Sequence, residues 1–188
     1  TALRYFGEML TAKLETAGIA VKGPVRFGQV PAGAKSIYRH ENSRNLREVL
    51  TSMLEYSNNF IANYLFVMLG GKDGQRGLDM VKAQQAARKW VDKEFHWREY
   101  RIEDGAGLSR ANRLSARQLL EAVKALAPYR DLLPTHEGVA RAKTGTLKGV
   151  STYAGFVWRN GRWEPFGLMI NQPVAYNLRL EVADTLAR

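Results

Sequence analysis

The sequence contains no cysteine. A chain without thiols can fold in an oxidising or a reducing compartment, so this absence decides little about location. The sequence also has no run of the roughly 18 to 20 apolar residues that a membrane-spanning helix requires, since its longest apolar stretch, residues 60–69, is interrupted by Asn63. Its three histidines have no spacing typical of a metal site or a catalytic triad. We therefore expect no membrane span, no metal and no cofactor.

Acidic residues are outnumbered, with 18 Asp and Glu against 28 Lys and Arg, which gives a formal charge of +10. A field of that sign attracts nucleic acids, anionic lipid surfaces and other acidic polymers. The basic residues are scattered, however, and form neither a run nor a zinc-finger or aromatic RNA-binding pattern. This favours a solvated basic surface, and no nucleic-acid partner is expected.

The beginning of the sequence has no secretion signal and no initiator Met, and it opens inside an amphipathic pattern made by Leu3, Phe6, Leu10 and Leu14. This pattern predicts that the first residue is a cut end, inside a longer chain. A length of 188 residues with 45% hydrophobic content is enough for one ordinary domain with a real core. No repeat or linker divides the chain, so the prediction is a single domain.

Apolar periodicity predicts mainly helices in the first two thirds of the chain. A helix over residues 1–17 is followed by a short extended segment at 25–30. Ser43 is the expected N-cap of a helix that stops near Tyr56, and a second apolar helix starts at Phe60 and closes at Gly70. A further amphipathic helix is predicted over 76–94.

The remaining third is predicted to be mainly β-structure. Residues 99–102 resemble a short strand, and a capping box of Ser115 and Gln118 predicts the start of a helix that ends before Pro128. Two strands, 150–158 and 163–171, are joined by Asn160-Gly161, a strong hairpin signal. A closing helix over 175–187 would cover one face of the sheet.

The first motif that could carry chemistry is Ser57-x-Asn59. Average residue usage gives about one chance match in every two chains of this length, so the pattern alone is weak. Ser43-x-Asn45 also matches, but its place at a helix start favours capping. Ser57-x-Asn59 instead interrupts two apolar helices, where polar groups need partners. We interpret it as functional, the alternative being a hydrogen-bonded structural joint.

The second motif, Lys143-Thr144-Gly145, is expected by chance in about one chain in twenty of this length. It falls on or beside the first strand of the predicted antiparallel group. A strand edge would present the lysine, the threonine hydroxyl and free backbone donors at fixed spacing, while glycine lets a ligand lie close. The alternative is a surface lysine before an ordinary turn.

A third motif, Ser-x-x-Lys, is missing. Together with the other two it forms a three-part serine acyl-transfer site, in which it supplies the nucleophile and its proton acceptor. None of the seven serines has a lysine three places later; the residues found there are Arg39, Leu46, Glu55, Phe60, Asn112, Gln118 and Ala154. The sequence therefore predicts a fragment of a larger catalytic unit.

With these motifs the chain resembles the penicillin-binding proteins, specifically the low-molecular-mass D-alanyl-D-alanine carboxypeptidase/endopeptidase family with domains inserted into the catalytic domain. Residues 56–59, 104–109, 143–146 and 149–156 stand in the same order as in that family. Ala106 departs from its pattern, where serine is common; the segment around it is expected to shape the cleft floor or to be a plain glycine-rich turn. In this family the Ser-x-x-Lys element lies far upstream, before the inserted domains.

The resemblance implies roles for the helical motif and the lysine. An absent serine would attack the carbonyl between two D-alanines and form an acyl-enzyme that water resolves. Ser57 would pass the proton to the leaving amine, and Asn59 would hold a substrate amide carbonyl. Lys143 would keep the site positive.

The resemblance implies binding roles for the strand motif. The hydroxyls of Thr144 and Thr146 would bind the terminal carboxylate of the substrate. The backbone N–H of Thr146 would supply half of the oxyanion hole, and Gly145 would allow the substrate to approach.

The fold that the resemblance implies is α/β (α+β), an antiparallel β-sheet flanked by helices, with residues 1–188 as a partial domain, the C-terminal portion of a transpeptidase-like catalytic domain. The implied function is a serine-type D-Ala-D-Ala carboxypeptidase/endopeptidase that acts on peptidoglycan stem peptides in the periplasm or another extracytoplasmic space and is inhibited by β-lactams. The chain alone, lacking the nucleophile, is expected to be inactive.

Three alternatives remain open. A β-lactamase-related hydrolase shares all three motifs, although no clear extra carboxylate for rapid deacylation is evident. A non-catalytic cell-wall-binding module would have lost the nucleophile in evolution. A basic nucleic-acid binder, the least supported alternative, predicts an affinity that falls steeply with salt.

Overall fold

The computed structural model describes residues 1–71, 79–136, 139–175 and 177–188. Close contacts group these residues into two compact units, Thr1–Asn42 and Ser43–Arg188. The first unit contains helix α1, Ala2–Thr16, which confirms the predicted N-terminal helix. The predicted extended segment at 25–30 belongs to no strand. Both motifs lie in the second unit.

Helix α2, Leu46–Tyr56, starts two residues later than its predicted cap allows. The N-cap is Asn45, whose side chain accepts from the Glu48 N–H at 3.0 Å, while the Glu48 carboxylate accepts from the Asn45 N–H at 2.8 Å. The prediction of Ser43 as the cap was wrong because only Asn45 has a glutamate three residues on to complete this reciprocal pair. The interpretation of Ser43-x-Asn45 as a helix start is confirmed.

Three more helices follow: α3 is Asn59–Met68, α4 is Met80–Phe95 and α5 is Ala116–Ala125. The predicted capping box of Ser115 and Gln118 is present at the start of α5. Residues 76–78 of the predicted fourth helix lie outside the described residues. After α5 the chain forms a short 3₁₀ helix, Ala127–Leu132.

The predicted strand at 99–102 is wrong. It contributes only a single bridge between Arg101 and Arg113. Glu99 has φ +56°, a left-handed conformation that ends any extended run at this position. Residue-type preference for β-structure was overridden by this local turn.

Among the described residues, the sheet has four antiparallel strands in the order β1-β2-β3-β4. Their bounds are Thr135–His136, Ala140–Leu147, Val150–Arg159 and Arg162–Ile170. The β3–β4 turn is the predicted Asn160-Gly161, with φ +51° and +76°, as expected for a hairpin turn with two left-handed residues. Helix α6, Leu178–Ala187, closes the chain; Tyr176, in the predicted closing helix, is outside the described residues.

Helices cover both faces of the sheet. On one face, Ala183 of α6 packs on strand residues that include Ala142 and Tyr153. On the other face, Val123 of α5 packs with Phe156 and Leu133. The predicted fold class, an antiparallel sheet flanked by helices, is confirmed. None of the helices in the described ranges has the length and apolar character needed to cross a bilayer.

Candidate active site

Ser57 lies in the joint between α2 and α3 and has a left-handed backbone, with φ 52° and ψ 45°. This conformation costs a residue other than glycine roughly 1 to 2 kcal/mol. Its neighbour Asn58 caps α3, because the Asn58 side chain accepts from the Ile61 N–H at 3.0 Å. The joint therefore combines a helix-capping residue, Asn58, with the flanking Ser57 and Asn59, and all three line a groove.

Strand β2 forms the opposite wall. Near its start the Ala142 N–H donates to the Pro134 carbonyl at 3.0 Å, so the backbone groups of Ala142 point towards β1. Because strand residues alternate in direction, the N–H groups of Thr144 and Thr146 point the same way. β1 pairs only with Ala140 and Arg141, and no other described strand pairs along this edge. The two threonines thus offer backbone donors to the groove.

The two walls meet at Lys143. Its Nζ donates a hydrogen bond to the Ser57 hydroxyl, which lies 86 residues away in sequence, and a second to the Thr144 carbonyl at 2.9 Å. The ammonium group therefore spans the groove between the helical joint and the strand. The structure brings together the motifs that the sequence analysis paired.

Burial lowers the pKa of Lys143 below its ordinary value, and the nearby positive charge of Arg179 lowers it further. The carboxylate of Glu55 acts in the opposite direction. A lysine with a lowered pKa gives up a proton more readily than a solvated one. The Lys143–Ser57 pair can thus hold a hydroxyl in place and exchange a proton with it.

The groove between the walls has a volume of about 1190 Å³ and is lined by all six predicted site residues, Ser57, Asn59, Lys143, Thr144, Gly145 and Thr146. This volume is above the usual range for small-molecule sites, about 300 to 1,000 Å³, and suits an extended ligand. Among the described residues no cluster of His, Cys, Asp or Glu could hold a metal ion.

Residues 105–109 of the segment at 104–109 also line the groove. Asp104 organises this segment, since its carboxylate accepts from the N–H groups of Gly107 at 2.7 Å and Ser109 at 2.8 Å. Asn63 fastens it to α3, because its side-chain oxygen accepts from the N–H groups of Gly105 and Ala106 at 2.9 and 3.0 Å. Sequence reasoning missed Asn63, although a polar residue one turn after Asn59 in an apolar helix was an available signal.

Gly145 is needed for close packing within the sheet. A Cβ at this position would lie 2.4 Å from the Thr152 hydroxyl on β3. Arg179 of α6 was also missed: its Nη1 donates to the Thr146 hydroxyl at 2.8 Å and to the Gly145 carbonyl at 3.2 Å. Nothing in the local sequence around Arg179 indicates that it reaches this strand.

In a comparison with protein families, residues 1–135 match the D-Ala-D-Ala carboxypeptidase 3 (S13) family. A D-alanyl-D-alanine carboxypeptidase of Actinomadura sp. (strain R39) is 28% identical over 183 residues, covering 80% of this chain and 33% of the relative. The D-alanyl-D-alanine carboxypeptidase DacB of Haemophilus influenzae is 28% identical over 184 residues, covering 85% and 38%. The chain spans little more than a third of the length of these relatives.

Solved structures share the fold. Penicillin-binding protein 4 (dacB) of Haemophilus influenzae, complexed with a novel β-lactam, superposes with a TM-score of 0.80 at 23% identity, covering 98% of this chain and 51% of that one. The penicillin G acylated Bd3459 predatory endopeptidase of Bdellovibrio bacteriovorus gives a TM-score of 0.61 at 15% identity, covering 96% and 57%. The family match ends before β2, whereas these superpositions extend over nearly all of the chain.

Proposed function

Because the chain belongs to the D-Ala-D-Ala carboxypeptidase 3 (S13) family, we propose that it forms part of a serine-type carboxypeptidase/endopeptidase that cleaves D-Ala-D-Ala stem peptides of peptidoglycan through an acyl-enzyme. Residues 1–188 are the C-terminal portion of its transpeptidase-like catalytic domain. β-Lactams inhibit the complete enzyme, which works in the periplasm or another extracytoplasmic space. The alternatives of a β-lactamase-related hydrolase and of a non-catalytic wall-binding module become outcomes of the test.

The observation that carries this proposal is the hydrogen bond from Lys143 Nζ to the Ser57 hydroxyl. Acyl transfer requires a group that takes a proton from the attacking serine side and gives one to the leaving amine. A hydroxyl that accepts from an ammonium keeps its own proton free to donate. Ser57 is thus suited to relay the proton, with Lys143 supplying the positive charge that favours the transfer.

Substrate binding is assigned to the rest of the groove. Asn59 holds an amide carbonyl of the substrate, and the hydroxyls of Thr144 and Thr146 bind its terminal carboxylate, while Gly145 leaves room for the peptide backbone. The N–H of Thr146 is half of the oxyanion hole. One such donor is typically worth about 10²- to 10³-fold in rate.

The sequence contains no Ser-x-x-Lys, so the nucleophile and its lysine belong to a segment of the protein outside these 188 residues. It follows that the isolated chain neither hydrolyses peptide nor forms a penicilloyl adduct.

The test is intact-mass spectrometry of the full-length protein after incubation with penicillin, together with D-alanine release from a stem pentapeptide. We expect one penicilloyl adduct and release of D-alanine. Fast steady turnover of nitrocefin would favour the β-lactamase alternative. Absence of both adduct and D-alanine would favour the wall-binding module.

Ser57→Gly provides a sharp variant, since glycine adopts the left-handed backbone of this joint without cost while removing the hydroxyl. We expect acylation about 10²- to 10⁴-fold slower, the usual contribution of proton transfer. Ser43→Gly is the matched control because it removes the serine of the other Ser-x-Asn motif. Equal rates for the two variants would contradict the role of Ser57.

A further inference from the structure

Arg179 lies in the first turn of α6, and only 2% of its surface is exposed. A buried guanidinium is costly unless it is hydrogen-bonded. Its Nη1 reaches two consecutive residues of β2, the Gly145 carbonyl and the Thr146 hydroxyl. Since α6 covers the sheet face opposite to α5, this cation lies on the α6 side of β2.

The bond to the Thr146 hydroxyl determines how that hydroxyl can be used. A guanidinium has only donors, so the hydroxyl oxygen must accept from Arg179. The hydroxyl hydrogen of Thr146 then remains to donate elsewhere. Thr146 is exposed and lines the groove, and an adjacent positive charge strengthens a donor towards anionic acceptors.

The bond to the Gly145 carbonyl affects the same residue by a second route. The Gly145 carbonyl and the Thr146 N–H belong to one planar trans peptide group and point in opposite directions. A donor on the carbonyl fixes the plane of this group and polarises its N–H. Through one nitrogen, Arg179 thus contacts the Thr146 hydroxyl and the carbonyl of the peptide group that carries the Thr146 N–H.

We propose that Arg179 is a positioning residue that holds the Thr146 hydroxyl and N–H as dedicated donors, so that the strand edge selects ligands with a carboxylate at the end of the scissile unit. This inference rests on the proposed function and adds a determinant of its specificity. The guanidinium itself need not touch the substrate. Its contacts with Gly145 and Thr146 are made from the α6 side of β2.

The test uses a matched substrate pair on the full-length protein, an acyl-D-Ala-D-Ala peptide and its C-terminal amide. The readout is the ratio of kcat/KM for the carboxylate to kcat/KM for the amide. In Arg179→Met we expect this ratio to fall about 10-fold or more, the typical worth of a charge-assisted hydrogen bond. Arg179→Lys keeps the charge but replaces the planar guanidinium by an ammonium on a different stem, and it should give an intermediate ratio.

A double-mutant cycle with Thr146→Val separates positioning from general structure. If Arg179 acts through Thr146, then Arg179→Met lowers the ratio by about twofold or less once the hydroxyl is gone, since coupled residues are non-additive. Arg117→Met is the charge-matched control, because Arg117 is exposed on α5. It should leave the ratio and both rates unchanged.

Thermal unfolding of each variant shows whether it folds. If Arg179→Met does not fold, the substrate ratio of Arg179→Lys tests the role of Arg179. Equal losses for the carboxylate and amide substrates, or full additivity with Thr146→Val, would overturn the role of Arg179 while leaving the proposed function intact. A wild-type protein that is neither acylated nor releases D-alanine would overturn both.

Discussion

The two halves of β2 have the same backbone geometry but different surroundings. In the first half, Ala140 and Ala142 are completely buried, and the outer edge is bonded to β1 and Pro134. In the second half, from Lys143 to Thr146, the side chains are polar and no described strand covers the outer edge. The candidate site therefore begins where pairing with β1 stops. We call residues 140–142 the closed half of β2 and residues 143–146 its open half.

This difference shows how a sheet becomes a binding edge. Unpaired backbone groups need partners, and in the first half β1 provides them. In the second half the same groups can bond a peptide that lies along the edge, as in other cases of strand addition. A charged lysine is also a residue that protects an exposed edge from unwanted pairing. The predictions that follow separate the two halves by function and by stability.

The largest effect is expected for Lys143→Met in the open half. Loss of the ammonium that bonds Ser57 should slow acylation of the full-length protein by penicillin about 10²- to 10³-fold, as for other groups that stabilise developing charge. The pKa of Lys143 is lower in the folded chain than its ordinary value of 10.5. The protonated lysine therefore lowers the free energy of unfolding at every pH below its pKa in the folded chain, and this loss of stability disappears as the pH rises to 10.5.

The same variant should therefore be at least as stable as the wild type at pH 7. Stopped-flow acylation and thermal unfolding measure the two effects. Lys148→Met is the control, since Lys148 is an exposed lysine between β2 and β3, and it should change neither quantity beyond the usual surface range of about 0.5 kcal/mol. If Lys143→Met lost both stability and activity, the role of Lys143 would be structural and not catalytic.

Gly145→Ala should have the next largest effect. The new Cβ would lie 2.4 Å from the Thr152 hydroxyl, so the strand edge must shift. We expect acylation to fall about 10-fold and the free energy of unfolding to fall by about 1 to 3 kcal/mol, typical of overpacking. Adding Thr152→Ala removes the clashing oxygen and should restore most of the stability. A double variant as unstable as Gly145→Ala would refute this origin.

On β3, where Gly155 pairs with Ala142 of the closed half, Gly155→Ala should alter stability instead of function. A Cβ there would lie 2.2 Å from the Arg141 carbonyl and 2.5 Å from the Ala142 Cα, and neither backbone atom can move away easily. We expect the free energy of unfolding to fall by about 3 kcal/mol. Gly71→Ala, whose Cβ meets only an ordinary contact at 3.5 Å, is the control.

Denaturant unfolding measures the stability, and penicillin titration counts the active sites that remain folded. The acylation rate per folded site should stay within about twofold of the wild type. A Gly155→Ala protein that is stable but poorly acylated would show that the two halves of β2 are not separate in function.

Local signals explain how much of this fold was predictable. The Asn160-Gly161 hairpin and the Ser115–Gln118 capping box depend on neighbouring residues, and both were predicted correctly. The prediction of Ser43 as the N-cap was wrong because several cap-forming residues lie close together and only the pairing with Glu48 distinguishes Asn45. Tyr100 and Ile102 are residues that favour strands, but the left-handed backbone at Glu99 prevents a strand.

The candidate site was predictable only in part for a related reason. The proximity of Ser57 and Lys143 was expected from the order of motifs in a family, since no local pattern connects residues so far apart. Arg179 reaches β2 from a helix more than thirty residues away. A single arginine in a helix gives no sequence signal of its tertiary contact, so this part of the site could be identified only from the structure.

The smallest expected effect concerns the pH dependence of the open half. Acylation that needs the Lys143 ammonium should decline with rising pH before 10.5, because burial and Arg179 both lower the pKa of Lys143. Arg179→Met removes one of these causes and should move the decline to higher pH. Glu55→Gln removes the carboxylate that raises this pKa and should move the decline to lower pH.

These opposite shifts distinguish a field acting on Lys143 from a general change in the site. Acylation rates of the full-length protein between pH 7 and 11 measure them, with Glu94→Gln on α4 as the charge-matched control that should leave the profile unchanged. Burial is the largest cause of the lowered pKa, so neither substitution should restore the profile of a free lysine. Shifts in the same direction for both variants would mean that the decline reports another group, and that Lys143 is not the cation on which the open half of β2 depends.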